Sequence, residues 1–281
     1  MKILVTGYTG QLGFDVVREL KTRNIECIGT TRNEFSLTDT EKMQAFVKAY
    51  KPDVVIHCAA YTAVDKAEDE VELCAQINHL ATKELAKVCK EIDAKMIYIS
   101  TDYVFAGSGE DFYEVNDEKA PQNVYGKSKL DGELAVQEIL DKYFIVRISW
   151  VFGSNGKNFI KTMLNLAKNH DKLTVVNDQI GSPTYTVDLA KLLCDMALSD
   201  KYGVYHATNE GICSWYDFAC EIFKQADIKI NVEPVSSTAF PTKAIRPHNS
   251  RMSKKCLDKA GFNRLPIWQD ALSRYLQELN M

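Results

Sequence analysis

No apolar run in the 281-residue chain approaches the ~20 residues that a membrane-spanning helix needs. The opening MKILVTG has one lysine and a short apolar run, too short for the apolar region of a signal peptide, and it reads as a first strand. The eight cysteines include no C-x-x-C pair and no His-x-x-x-His accompanies them, so a structural zinc site is not expected. Cys58 in VVIHCAA sits in an apolar run, where a thiol behaves as a small hydrophobe. The expectation is reduced thiols and a cytoplasmic protein. An excess of positive charge is also lacking, the formal net charge being -4. Neutralising phosphates along a nucleic acid needs a basic surface, so that partner is excluded. A small anionic ligand held by a few local groups is not. Internal repeats and low-complexity segments are absent.

What is present is ordinary for a globular chain: 46% hydrophobic and 26% charged residues. At roughly 100–200 residues per domain, the length fits one large domain or two closely joined ones. Strand-like runs alternate with helical patterns through the first half. Strands are expected at Lys2–Thr6, Glu26–Thr30, Val54–His57, Met96–Ser100 and Tyr143–Trp150, with helices at Gln11–Leu20, Asp39–Tyr50, Glu68–Glu91 and Val124–Leu140. Such alternation implies right-handed crossovers and a parallel sheet covered on both faces, which suits uniformly apolar strands such as VVI. The expected class is α/β: a Rossmann-type doubly wound parallel sheet over residues 1–152, then a smaller α/β substrate domain over 153–281 with segments returning to the sheet. In that second part helices are expected at Asn158–Lys168, Val187–Leu198, Ser214–Gln225 and Ile267–Glu278, and strands at Leu173–Val176 and Val204–Ala207. Glu233–Arg251 reads as an irregular substrate-side loop.

Residues 4–13 read LVTGYTGQLG, placing Gly7, Gly10 and Gly13 between a first strand and a first helix. The pattern is related to the dinucleotide fingerprint. The turn needs positive φ, the backbone must come close to a diphosphate, and the helix N-terminus offers free N–H groups to the anion. At the second strand's end stand Thr30, Thr31 and Arg32, with Glu34 beyond. No carboxylate sits at the tip to take ribose hydroxyls. Arg32 is either a contact for the 2′-phosphate of NADP or a solvated loop charge, so the coenzyme reading leans to NADPH with NADH left open. The third strand runs into HCAAYTAVD, where small Ala59 and Ala60 let a flat ligand approach the sheet edge.

Residues 99–105, ISTDYVF, put Ser100 and Thr101 at the end of another strand, with Thr101 able to donate a hydrogen bond to a carbonyl. In VYGKSKLDGE, Tyr125 and Lys129 lie four residues apart, a spacing that any helix face can show. A tyrosine of reference pKa near ~10 is phenolate to about one part in a thousand at neutral pH. A nearby ammonium in a partly desolvated cleft can lower that value at a worth of about 3–4 kcal/mol, and so make an acid–base catalyst. His57 and His206, in apolar strand contexts, read as core histidines. Leu130, Leu134 and Ile139 on the Tyr125 helix read as core.

TGxxGxxG, the threonine of ISTDYVF, and YxxxK in that order resemble the extended short-chain dehydrogenase/reductases. AAYTAVDKAE (59–68), STDYVF (100–105), NVYGKSKLDGE (123–133), RISWVFG (147–153), VVNDQIGSPT (175–184) and AIRPHNS (244–250) are similar to the dTDP-4-dehydrorhamnose reductase family. The resemblance spans essentially the whole chain. It implies an oxidoreductase of nucleotide-sugar (dTDP-rhamnose) biosynthesis, using NADPH or NADH to reduce C4 of dTDP-4-dehydro-β-L-rhamnose. It implies Tyr125 as proton donor, Lys129 as its partner and ribose ligand, and Thr101 as the group orienting the carbonyl. Gly7, Gly10, Gln11, Leu12, Gly13, Thr31, Arg32, Leu37, Cys58, Ala59, Ala60, Tyr61 and Thr62, with Tyr125 and Lys129, would hold the cofactor. Val64, Thr101, Asp102, Tyr103, Trp150, Asn158 and Arg246 would face the substrate. Trp150 is either a sugar platform or a core residue, and Arg246 either a diphosphate contact or a surface charge. Some relatives use magnesium at a dimer contact; no dense carboxylate cluster assigns it here, and a homodimer is compatible with the resemblance. The alternatives are an epimerase or dehydratase of the same fold, disfavoured by RISWVFG, and a non-catalytic nucleotide-binding regulatory subunit, disfavoured by the intact Thr101, Tyr125 and Lys129.

Overall fold

Five apolar segments form the heart of the molecule, β1 (Lys2–Thr6), β2 (Glu26–Thr30), β3 (Val54–His57), β4 (Lys95–Thr101) and β5 (Tyr143–Ile148). The structure, a computed structural model, describes residues 1–279, so the last two positions of the expected second domain lie outside it. With the strand Gly203–His206 they make a six-stranded sheet in the order Gly203–His206, β5, β4, β3, β1, β2, and every neighbouring pair is parallel. All-parallel pairing leaves both faces to be covered. One face packs against α1 (Gln11–Thr22) and the helix Thr186–Ala197, around Val5, Val16, Leu189 and Leu193. The other packs against α2 (Thr40–Tyr50) and the helices Ala81–Glu91 and Val124–Ile139, around Leu4, Val47, Leu85 and Val136. The helix Thr186–Ala197 and the strand Gly203–His206 thus serve the sheet, though they come late in the chain. Most of the remaining C-terminal elements gather around Phe152, Phe218, Trp268 and Tyr275, while Leu257 of the helix Lys255–Ala260 joins the core on the α1 face of the sheet.

The order of the sheet sets where a ligand can bind. The chain moves outward from β1 to β2, then returns to the other side of β1 as β3, so the loops leaving β1 and β3 diverge. A crevice opens at that reversal, at the carboxyl ends of the strands.

The structure departs from expectation at several points. The single helix expected over Glu68–Glu91 is instead Val64–Ala67, Val71–Ala75, a π turn at Gln76–Leu80 and Ala81–Glu91. The π turn surrounds Asn78, whose carbonyl accepts from Tyr98 Oη (3.1 Å) and Thr82 Oγ1 (2.9 Å), bonds that compete with the regular helical ladder. The last strand of the first half ends at Ile148, and Trp150 takes φ +49° to turn the chain. Within the expected loop, Glu233–Val235 ends a strand, Asn231–Val235, paired in parallel with Lys172–Val176. Leu134 is 54% exposed rather than core, because the helix turns that face away from the sheet. Among the described residues no helix is long and apolar enough to cross a membrane.

Candidate active site at the carboxyl edge of the sheet

A cleft of about 980 Å³ runs across the switch point from the end of β2 to the start of the helix Val124–Ile139. Its floor is built by glycines. Gly7 takes φ +73°, and a Cβ there would stand 2.8 Å from the backbone nitrogen of Ala59. Thr6 Oγ1 accepts from that same nitrogen (3.1 Å) and hydrogen-bonds with His57 Nδ1 (2.7 Å), so the β1 and β3 loops are locked together. His57 is fully buried, and burial lowers its imidazole to about 3, making it a neutral core group as expected. Gly10 caps α1 without a side-chain bond, leaving the first N–H groups of the helix free at the cleft. A cradle of glycine backbone and free amides fits a dinucleotide's diphosphate.

All the residues expected at the cofactor line this cleft: Gly7, Gly10, Gln11, Leu12, Gly13, Thr31, Arg32, Leu37, Cys58, Ala59, Ala60, Tyr61, Thr62, Tyr125 and Lys129. At the β2 end the Glu34 carboxylate is taken up by Thr31. Glu34 accepts from Thr31 N (2.6 Å) and Thr31 Oγ1 (2.8 Å), bonds that hold its pKa below the usual range. Arg32 is exposed beside it and faces the cleft.

At the other end, β4 delivers Thr101, whose hydroxyl donates to Asp102 Oδ1 (2.9 Å). Ser250 Oγ donates to the other carboxylate oxygen of Asp102 (2.5 Å), and burial still pushes this acid up to about 6. The helix Val124–Ile139 starts where it does because Asn123 Oδ1 caps it, accepting from Gly126 N (2.7 Å). Two glycines let that helix come close. A Cβ on Gly126 would collide with the carbonyl of Tyr103, and one on Gly132 with the hydroxyl of Tyr98. Tyr125 thereby lies edge-on to Tyr103, ring centroids 5.5 Å apart. Burial raises the pKa of its phenol; the neighbouring Thr101 hydroxyl opposes that and the Asp102 carboxylate adds to it. Lys129 is 2% exposed, with its ammonium 4.0 Å from the Tyr98 ring centroid. Burial lowers it to about 7, against the upward pull of Glu133.

Glu133 fixes this helix to the sheet. Its carboxylate receives Arg147 Nε (2.9 Å) and Nη2 (2.7 Å) from β5 and Ser100 Oγ (2.5 Å) from β4, and both charged groups are buried. Asn78 supports the same place. Its amide donates to Ser128 Oγ (3.0 Å) and Tyr61 O (3.0 Å) and accepts from Tyr61 N (2.8 Å), joining the loop after β3 to the helix Val124–Ile139. Neither Glu133 nor Asn78 was singled out by sequence reasoning. The only sequence signal was a polar residue at a helix position that should be apolar.

On the substrate side, Val64, Thr101, Asp102, Tyr103 and Trp150 line the cleft. Trp150 stacks on Trp215 with centroids 3.8 Å apart and planes inclined by 16°, and a Cβ on Gly181 would stand 3.0 Å from its ring. Arg246 and Asn158 are not among the lining residues. Arg246 Nη2 donates to Asp65 Oδ2 (2.6 Å), Ala244 N to Asp65 Oδ1 (3.2 Å), and Lys243 pairs with Asp69, so this loop is strapped to the helix Val64–Ala67 and its following turn. The Asn158 amide is saturated, its two N–H groups shared among Gln11 Oε1 (3.0 Å), Gly153 O (2.9 Å) and Tyr275 Oη (2.9 Å) while its oxygen accepts from Lys161 N (3.1 Å). It is a strut between the glycine loop and the C-terminal lobe. Among the described residues no group of three or more His, Cys, Asp or Glu side chains converges to hold a metal, so none is assigned to magnesium.

A family model described as the RmlD substrate binding domain matches residues 1–281. The crystal structure of a dTDP-4-dehydrorhamnose reductase from Clostridium acetobutylicum superimposes with a TM-score of 0.97 at 43% identity, covering 100% of both chains. That of the reductase from Bacillus anthracis, solved in complex with NADP, gives a TM-score of 0.96 at 41% identity over 99% of each chain. The dTDP-4-dehydrorhamnose reductase of Escherichia coli (strain K12) is 39% identical, covering 99% of this chain and 98% of its own length.

Proposed function

The chain belongs to the dTDP-4-dehydrorhamnose reductase family, and from that premise we propose that it reduces the C4 keto group of dTDP-4-dehydro-β-L-rhamnose to give dTDP-β-L-rhamnose. It is an oxidoreductase using NADPH or NADH. The observation that carries the reading is that Thr101, Tyr125 and Lys129 converge on the same cleft as the glycine cradle.

When bound in this cleft, a dihydronicotinamide would supply the hydride. The work of the protein is to hold the ketone and deliver a proton. Thr101, whose one hydroxyl proton rests on Asp102, would turn that proton to the substrate oxygen and so orient the carbonyl. Tyr125 is kept protonated by burial, which suits a group that must give a proton to the oxygen as it becomes an alkoxide. Lys129, near neutrality, favours the phenolate left behind and would hold the cofactor ribose. Trp150 offers an apolar ring to the deoxy face of the sugar. Arg246 sits at the rim, where exchange of Asp65 for the substrate diphosphate would recruit it. The protein works in the cytoplasm, and the exposed Val71, Leu80 and Leu134 on neighbouring helices support a homodimer.

The test is turnover of dTDP-4-dehydrorhamnose with NADPH or NADH, followed by loss of reduced-nicotinamide absorbance. Consumption that requires the keto sugar is expected; no turnover with either coenzyme sinks the reading.

A further inference from the structure

The loop 153–157 comes from the second half of the chain yet lies against the glycine loop of the first. Asn155 Nδ2 donates to the carbonyls of Thr9 (3.0 Å) and Gly10 (3.3 Å). Gly153 N and Asn158 Nδ2 both donate to Gln11 Oε1, at 2.9 and 3.0 Å. Gly156 has φ +117°, and a Cβ there would come within 3.3 Å of Gln11 Cγ, so the two loops approach at a residue that has no side chain. From the other side Lys161 Nζ donates to Ser154 O (2.5 Å) and Gly156 O (2.9 Å). The loop is therefore held by side chains at both ends and pressed onto the turn that opens α1.

Lys157 follows at the tip. It is exposed, lines the same cleft as Gly10 and Leu12, and makes no ion pair among the described residues. Its neighbour Lys161 is spent on loop carbonyls, and Arg32 stands at the β2 end of the cleft. A helix N-terminus offers roughly half a unit of positive charge, well short of the two negative charges on a dinucleotide's diphosphate. A flexible ammonium at that rim matches the deficit.

We propose that 153–157 is the second wall of the diphosphate site and that Lys157 is its counter-charge. The proposal rests on the reading of the cleft as a nicotinamide dinucleotide site. It also means that the C-terminal half takes part in holding the cofactor.

Binding of NADPH and of NADH to the full-length protein, read by reduced-nicotinamide fluorescence, tests this with Lys157→Gln and Lys157→Arg. Lys157→Gln should weaken both coenzymes about fivefold at low salt, and the gap should close as salt is added. Lys157→Arg should stay close to wild type. Unchanged affinity in Lys157→Gln overturns the proposal. So does a loss confined to NADPH, which would place Lys157 at the 2′-phosphate. So does a loss that persists at high salt, which would mark lost packing. Failure of the wild-type protein to bind either coenzyme instead sinks the cofactor reading itself, a result distinct from any difference between the variants.

Discussion

Trp150 and Trp215 lie nearly parallel, their ring centroids 3.8 Å apart. One belongs to the turn after β5 and the other opens the helix Trp215–Gln225, so a side chain at the cleft is backed by one from the C-terminal lobe. Phe159 packs on Trp215 in turn, at 4.7 Å.

Trp215→Leu should therefore act through Trp150. The stack is worth about 1 kcal/mol beyond its buried area, so the indole at the cleft becomes loose once its backing is gone. KM for the keto sugar should rise severalfold while cofactor affinity, measured by direct titration, stays unchanged. Trp215→Phe should recover most of the loss.

Tyr125→Phe removes the proposed proton donor and keeps the ring against Tyr103. Turnover should fall by about 10²–10⁴-fold, with coenzyme binding nearly intact. Turnover close to wild type would strip Tyr125 of its role.

Lys129 links function to stability. Its folded pKa, about 7, lies below the reference of 10.5, because burial penalises the ammonium. The stability it contributes is thus present above the unfolded pKa and is lost as pH falls through about 7. Lys129→Met should stabilise the fold by on the order of 2 kcal/mol below neutral pH, and the gain should shrink towards alkaline pH. The same substitution should abolish most turnover. Chemical denaturation of both proteins across that pH range checks the sign.

Arg32→Gln should separate the coenzymes. With Glu34 turned towards Thr31, Arg32 is the charged side chain offered to a 2′-phosphate. The substitution should weaken NADPH about tenfold and leave NADH unaffected. Equal effects on both would remove Arg32 from coenzyme choice.

The central sheet was legible because strands covered on both faces are written as uninterrupted apolar runs. Glu26–Thr30 and Val54–His57 coincide with expectation, and the helix expected from Val124 begins there. The turn at Gly7 was legible for a similar reason, since a glycine turn between strand and helix is a local pattern. What was hidden depends on partners distant in sequence. The π turn is bound to Tyr98 and Ser128, the strut role of Asn158 needs Gln11 and Tyr275, and the strap on Arg246 needs Asp65. The two- and three-residue strands of the C-terminal half, such as Val151–Phe152 and Leu265–Ile267, are too short to show a period.

The pairing of Glu133 with Arg147 has a consequence for how this protein can change. Losing either partner strands a charge in the interior at a cost of about 3–5 kcal/mol, much of what a domain of this kind has to spare. An apolar pair of matching volume could be tolerated, yet every route to it passes through one of those crippled intermediates. The contact beneath the Tyr125 helix is therefore hard to change one residue at a time, whatever the worth of the finished replacement.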